Sequence, residues 1–75
     1  MSPENIFGQR IFELRKSAGM TQKQLGESVG LSMQAINDIE KCRRQTTLPK
    51  SILFADFFDV SLDYLVGRSD DPARH

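Results

Sequence analysis

The stretch that most constrains the fold is residues 21–40, TQKQLGESVGLSMQAINDIE, which is typical of two short helices joined by a tight turn. Thr21 is a good N-cap, because its hydroxyl can accept a hydrogen bond from a free amide of the first helical turn. Gly30 stands where a left-handed residue often ends a helix. Ser32 is a second N-cap directly after it. Together these signals predict a helix-turn-helix unit.

The second helix of this unit has an apolar side and a polar side. Ile36 and Ile39 lie on the side expected to face inward. The residues left pointing outward are Met33, Gln34, Asn37 and Asp38. Helix-turn-helix units place such a second helix in the major groove of DNA, so these four are candidate base contacts.

The rest of the chain predicts three further helices and no strand, so the fold class is all-α. The five helical segments are about 4–18, 22–29, 33–41, 48 onward and 62–66. Thr47 and Ser61 are expected as N-caps, with Gly19 and Gly67 as stops. We expect one domain over residues 1–75, in which residues 70–75 form a flexible tail.

The expected core combines the apolar residues that recur at helical spacing. Its members are Phe7, Ile11, Leu14, Met20, Leu25, Val29, Leu31, Ile36, Ile39, Leu48, Ile52, Val60, Leu62 and Leu65. In the fourth helix the inward set is expected to be Leu48, Ile52, Ala55 and Phe58. A 75-residue chain has little more core than one fold needs, so the domain should be marginally stable.

Composition narrows the function classes. Apolar residues make up 39% and charged residues 27%, an ordinary balance for a globular domain. No apolar run approaches the roughly 20 residues that span a bilayer, and the start of the chain lacks a signal-peptide pattern. A single cysteine, Cys42, excludes an internal disulfide. These features predict a cytoplasmic protein with no membrane partner.

The net charge is zero but unevenly distributed. Residues 1–55 carry a net +3 and residues 56–75 a net −3. A basic front and an acidic rear suit a protein that docks one face on phosphates, although the low total charge argues for weak non-specific binding.

The segments LRKSAGMTQKQLGESVGLSMQAINDIEK and SILFADFFDVSLDYLVGRSD resemble the lambda-type Cro/CI (XRE-like) helix-turn-helix repressors. The resemblance covers about residues 6–69. It implies a compact five-helix, lambda-repressor-like DNA-binding domain. The implied function is a sequence-specific transcriptional regulator of repressor type, which binds double-stranded DNA at a palindromic operator as a homodimer.

The resemblance also assigns roles to residues. Gln34 matches a position that reads bases, and its amide can pair with the major-groove edge of adenine. Met33 and Asp38 match other base-facing positions, where Met33 can contact a thymine methyl and Asp38 can accept from cytosine N4 or repel phosphates. Asn37 reaches either bases or backbone. The implied contacts to the DNA backbone are Gln22, Lys23, Ser32, Lys41, Arg43 and Arg44.

Arg15 and Glu40 match a pair that the family joins as an ion pair between its first and third helices, a structural role. Two residues depart from the family pattern. Gly26 stands where alanine is usual, which costs helix propensity but permits close packing. Cys42 stands where glycine usually ends the recognition helix, which implies either strain or a differently shaped turn.

The aromatic residues of the C-terminal part exceed what one small core needs. Since the family usually dimerises there, the expected dimer interface is Phe54, Phe57, Phe58 and Tyr64. They could instead face a C-terminal domain missing from this chain.

A second class of function stays open, a protein-interaction module such as an antitoxin or adaptor. The zero net charge and the surplus of phenylalanine favour it. An enzyme is not expected, since the histidine and cysteine content is limited to His75 and Cys42, and no phosphate-binding loop or metal-ligand spacing occurs. No cofactor, metal or small-molecule substrate is predicted.

Overall fold

The computed structural model describes residues 3–73, and over that range the chain forms five helices and no strand. In chain order they are α1 Pro3–Ser17, α2 Gln22–Val29, α3 Met33–Glu40, α4 Leu48–Phe58 and α5 Leu62–Leu65. The predicted all-α fold of five helices is confirmed. None of these helices is long and apolar enough to cross a membrane. His75, considered above for catalysis, lies outside the described residues.

Side-chain hydroxyls begin the last four helices. The residues whose oxygens accept from a backbone N–H three positions later are Thr21, Ser32, Thr47 and Ser61. At Thr21 the arrangement is reciprocal, because the Gln24 side chain also accepts from the Thr21 N–H at 2.9 Å. A cap of this kind contributes about 1 kcal/mol. The four predicted helix starts are confirmed.

The core draws one fully buried large side chain from each helix. These are Ile11, Leu25, Ile36, Phe54 and Leu65. α3 packs against both α1 and α2, α4 contacts α2 and α5, and α5 returns to α1. Phe7 packs edge-on against Phe54, with ring centroids 5.8 Å apart. Each helix is thus anchored by burial worth about 1.5–3 kcal/mol per large side chain.

The predicted inward face of α4 is wrong at two of its four positions. Leu48 is 64% exposed and Ile52 is 44% exposed, so neither belongs to the core. α4 buries Ser51 and Phe54 in their place, whereas Ala55 is buried and Phe58 partly buried, as predicted. This face places the large ring of Phe54 over the core, where it packs edge-on against Phe7.

The same rotation of α4 corrects one residue of the expected dimer interface. Phe54 has no exposed surface and lies inside its own domain, so it cannot contact a partner. Phe58 and Tyr64 are half-buried against the core, whereas Phe57 remains 42% exposed. The aromatic surplus therefore divides between core and surface.

The segment after α5 is tied to α1. The Arg10 guanidinium donates to the Ser69 carbonyl at 2.8 Å and pairs with the Asp70 carboxylate at 3.1 Å. The Ser61 N–H donates to the Pro72 carbonyl at 3.0 Å. A flexible tail was expected over about residues 70–75, and within it these contacts tie Asp70 to α1 and Pro72 to the start of α5.

α1 crosses the end of α3 at Gly8 with no space for a side chain. A Cβ at Gly8 would overlap the Ile39 carbonyl oxygen and press on the Cys42 sulfur. This close approach was not predicted from the sequence, because glycine within a helix ordinarily signals only lowered helix propensity. Gly8 therefore sets the distance between α1 and α3.

Replacing Gly8 by alanine should lower the free energy of unfolding by about 1–3 kcal/mol, because the methyl group pushes α1 away from α3. The better helix propensity of alanine offsets at most about 1 kcal/mol of that loss. Urea unfolding followed by circular dichroism measures the change, with Gln9→Ala at the exposed neighbouring position as control. Equal midpoints for Gly8→Ala and the wild type would contradict the tight crossing.

Candidate nucleic-acid interface

The turn between α2 and α3 lies directly against α2. Gly30 adopts a left-handed φ of 74°, and the Leu31 N–H donates to the Gly26 carbonyl at 2.8 Å. A Cβ at Gly26 would overlap the Leu31 carbonyl oxygen. Glycine at position 26 therefore allows the turn to close on α2, and this sets where α3 begins.

α3 has a buried apolar side and an outward polar side. Its buried residues are Ala35, Ile36 and Ile39. On the other side Met33 is 55% exposed and Gln34 is exposed, while Asn37 and Asp38 are half-buried. The structure thus brings together the four residues that the sequence predicts as base contacts.

Two of these outward residues are joined to each other. Gln34 Nε2 donates to Asp38 Oδ1 at 3.0 Å, one helical turn further along α3. A glutamine and an aspartate four positions apart on a helix are neighbours on its surface. The two residues were expected to act as separate contacts, and the bond between them was not predicted, although their spacing of four positions signals it.

Arg15 on α1 and Glu40 on α3 form a buried ion pair between the two helices. Arg15 Nε lies 2.6 Å from Glu40 Oε2 and Arg15 Nη2 lies 3.0 Å from Glu40 Oε1, a two-point contact. The exposed fractions of the two side chains are 9% and 3%. Arg15 Nη1 also donates to the Met20 carbonyl at 2.9 Å. The pair thereby connects α1, the segment that leads into α2 and the end of α3.

A chain of amide hydrogen bonds extends this ion pair toward the outward side of α3. Gln22 Nε2 donates to Glu40 Oε1 at 3.1 Å, and Asn37 Nδ2 donates to Gln22 Oε1 at 3.4 Å. Gln22 lies at the start of α2, so these two hydrogen bonds hold α2 against α3. The sequence pointed to Gln22 and to Asn37 individually, but nothing in their 15-residue separation signalled that they meet.

Three cations follow α3 along the chain. Lys41, Arg43 and Arg44 are all exposed, beyond the last turn of the helix. Cys42 lies among them with a left-handed φ of 61°, and the Arg43 N–H donates to the Asp38 carbonyl at 2.8 Å. The turn thus keeps the shape that glycine usually supplies, at a cost of about 1–2 kcal/mol for a residue with a Cβ.

The remaining predicted backbone contacts lie at the two helix starts. Lys23 is exposed in the first turn of α2. The Ser32 oxygen accepts from the Ala35 N–H at 3.0 Å, which leaves the hydroxyl hydrogen available as a donor. The polar groups gathered on this side are amides, hydroxyls, a carboxylate and cations. Within residues 3–73, no three His, Cys, Asp or Glu side chains come together as metal ligands.

The sequence matches the model of a family described as helix-turn-helix over residues 11–65, a range that contains α2, the turn, α3 and α4. The chain belongs to this helix-turn-helix family. The resemblance to lambda-type repressors noted from the residues is confirmed.

Two curated relatives are transcriptional regulators by name. The chain is 34% identical over 67 residues to the uncharacterised HTH-type transcriptional regulator YobD of Bacillus subtilis (strain 168), covering 89% of this chain and 60% of that protein. It is 35% identical over 63 residues to the HTH-type transcriptional regulator PrpR of Mycobacterium tuberculosis (strain ATCC 25618 / H37Rv), covering 84% of this chain and 13% of that protein. The chain therefore spans less than two thirds of each relative.

Two solved structures share the fold. The restriction-modification controller protein C.AhdI from Aeromonas hydrophila superposes with a TM-score of 0.74 at 30% identity, covering 81% of this chain and 92% of that chain. The P22 c2 repressor, solved with a synthetic operator, gives a TM-score of 0.75 at 30% identity, covering 79% and 89%. These neighbours confirm the lambda-repressor-like fold.

Replacing Glu40 by glutamine should lower the free energy of unfolding by about 3 kcal/mol, because Arg15 stays buried without its charge partner. The double variant Arg15→Met with Glu40→Leu should recover most of that loss, since it leaves no buried charge. Urea denaturation measures both. Asp70→Asn, which breaks the solvent-exposed ion pair with Arg10, is the control and should be close to neutral. A Glu40→Gln variant as stable as Asp70→Asn would contradict the structural role of the pair.

Proposed function

We propose that this protein is a sequence-specific transcriptional regulator, of repressor type, that binds double-stranded DNA with α3 in the major groove. The observation that carries the proposal is the outward polar side of α3, braced from behind by the buried ion pair and followed by three exposed cations. A rigid helix with polar groups on one side and cations at its end suits groove binding.

Base reading is assigned to the outward side of α3. Gln34 can donate to N7 of adenine and accept from its N6 amino group. Met33, more than half exposed, can lie against a thymine methyl. Asp38 can accept from cytosine N4. Asn37, whose Nδ2 donates to Gln22, can contact either the bases or the DNA backbone.

Phosphate binding is assigned to the groups that flank α3. Gln22 and Lys23 lie at the N-terminal end of α2, where the helix dipole favours anions. Ser32 has a hydroxyl hydrogen to donate at the start of α3. Beyond its end stand Lys41, Arg43 and Arg44. These cations offset the negative charge of α3 itself, which carries Asp38 and Glu40 without a basic residue.

The named relatives support the proposal. YobD and PrpR are called transcriptional regulators, and the P22 c2 repressor was solved with a synthetic operator. That protein holds DNA with the fold found here, at 30% sequence identity. The proposal for the present chain rests on its own surface together with this shared fold.

The proposal includes an isologous homodimer formed through the outer side of α4. The large apolar side chains exposed there are Leu48, Ile52, Leu53 and Phe57, with exposed fractions between 42% and 64%. Of the four residues expected at the interface, Phe57 belongs to this exposed set. Phe54 is buried, and Phe58 and Tyr64 are half-buried. A two-fold axis at this helix would present two copies of α3 to successive major grooves, about 34 Å apart on a palindromic site.

A protein-interaction module, such as an antitoxin or adaptor, is the second candidate. The apolar outer side of α4 and the zero net charge favour it. It differs from the regulator in one measurable respect: its affinity for DNA would depend on salt but not on sequence.

Selection of bound sites from a randomised duplex pool, at near-physiological salt, tests the proposed function. The wild type should enrich an inverted repeat. Gln34→Ala should lose about 1–3 kcal/mol on that site and relax one base position per half-site, since it removes a bidentate contact. Arg43→Ala should weaken binding to all sequences and lower the salt dependence by about one phosphate contact.

Gln9→Ala, which alters an exposed glutamine of α1, is the control and should select the wild-type site. An unenriched pool with the wild type would contradict sequence-specific binding and favour the interaction module. If Gln34→Ala selected the same site as the wild type, the base contact assigned to Gln34 would be wrong, and the other assignments would stand.

Replacing Leu53 by glutamate should weaken the dimer by roughly tenfold or more, because two like charges would meet near the two-fold axis. Sedimentation equilibrium measures the monomer–dimer dissociation constant. Gln9→Glu on α1, which adds the same charge at an exposed position of another helix, is the control. A dimer weakened equally by both variants, or by Gln9→Glu alone, would place the interface elsewhere.

A further inference from the structure

The two polar ends of a glutamine side chain are nearly equal in shape, so a neighbouring group decides which end faces which way. Gln34 has Asp38 as that neighbour, with Gln34 Nε2 donating to Asp38 Oδ1 at 3.0 Å. An ionised carboxylate can accept hydrogen bonds but cannot donate them. Asp38 therefore holds the amino end of Gln34 and turns the Gln34 oxygen away from itself.

Glu40 orients a second pair of amides in the same way. Its carboxylate accepts from Gln22 Nε2 at 3.1 Å, which leaves Gln22 Oε1 to face Asn37. Asn37 Nδ2 then donates to Gln22 Oε1 at 3.4 Å. Asn37 keeps its oxygen and the second hydrogen of Nδ2 for a ligand. Two carboxylates of α3 thus direct two outward amides of the same helix, Gln34 and Asn37.

The composition of α3 also favours hydrogen-bond acceptors over donors on its outward side. The helix MQAINDIE contains no lysine or arginine. The commonest specific contact in the major groove, a cation to guanine O6 and N7, therefore has no donor within the helix. The groups that α3 offers to base edges are chiefly acceptor oxygens, from Gln34, Asn37 and Asp38.

We propose that Asp38 and Glu40 are positioning residues that make the outward side of α3 an array of acceptors, which selects base edges that carry amino groups. The amino groups exposed in the major groove are cytosine N4 and adenine N6. The second hydrogen of Gln34 Nε2 can still donate to N7, so at its base pair adenine is preferred over guanine, whose O6 would face the Gln34 oxygen. This inference rests on the proposed function.

The test uses the operator that the full wild-type chain selects. The base pair read by Gln34 is the one whose preference Gln34→Ala relaxes. Asp38→Asn keeps the shape of residue 38 but can donate as well as accept, so the Gln34 amide can turn round. The adenine-to-guanine affinity ratio at that pair should then fall by about twofold or more. Asp38→Glu keeps a carboxylate and should retain the ratio.

Glu27→Gln, which makes the same chemical change at an exposed position of α2, controls for the lost negative charge. It should leave the ratio unchanged, and thermal unfolding should show Asp38→Asn to be as stable as the wild type. A ratio unaltered by Asp38→Asn would overturn the positioning role of Asp38.

Base analogues test the acceptor array itself. Replacing the adenines or cytosines selected opposite α3 by purine or 2-pyrimidinone removes the amino group alone, and should weaken wild-type binding by about fivefold or more. The same replacement outside the selected half-sites should have no such effect. Unchanged affinity within the half-sites would overturn the inference and leave sequence-specific binding intact. A wild type that selects no site would overturn both.

Discussion

The buried ion pair between Arg15 and Glu40 is the interaction on which the geometry of this domain depends. Removing both charges from water costs several kcal/mol, and the pair is tolerable because its polar atoms are satisfied. Arg15 donates to Glu40 through two nitrogens and to the Met20 carbonyl through a third. Glu40 also accepts from Gln22. Since its partners belong to three helices, the pair specifies their relative placement, and with it the direction in which the outer side of α3 faces.

Features set by local chemistry could be predicted from the sequence. Each hydroxyl cap involves one side chain and a backbone N–H three positions later, so the helix starts could be predicted. The caps are Thr21, Ser32, Thr47 and Ser61. The periodicity of α3 likewise separated its buried isoleucines from its outward polar residues. The close approach at Gly8 could not be foreseen, because it depends on the carbonyl of Ile39 from a different helix.

The errors concentrate on α4, and they have one cause. This helix is apolar nearly all round, so its periodicity does not select a single inward face. Packing decides between the alternatives, and the contact between Phe54 and Phe7 turns Leu48 and Ile52 outward. At the candidate site, the sequence named the individual residues, and the family resemblance suggested the ion pair. The amide orientations set by Asp38 and Glu40 depend on side-chain contacts that only coordinates contain.

We infer that the outward side of α3 binds the DNA bases while the ion pair holds the helix from behind. The most direct test follows the side-chain amide resonances of Gln22, Gln34 and Asn37 by NMR as a selected duplex is added, with Gln9 as the reference on α1. Large shifts are expected for those three amides, with little change at Gln9. Shifts confined to residues on α4, with the α3 amides unmoved, would contradict it.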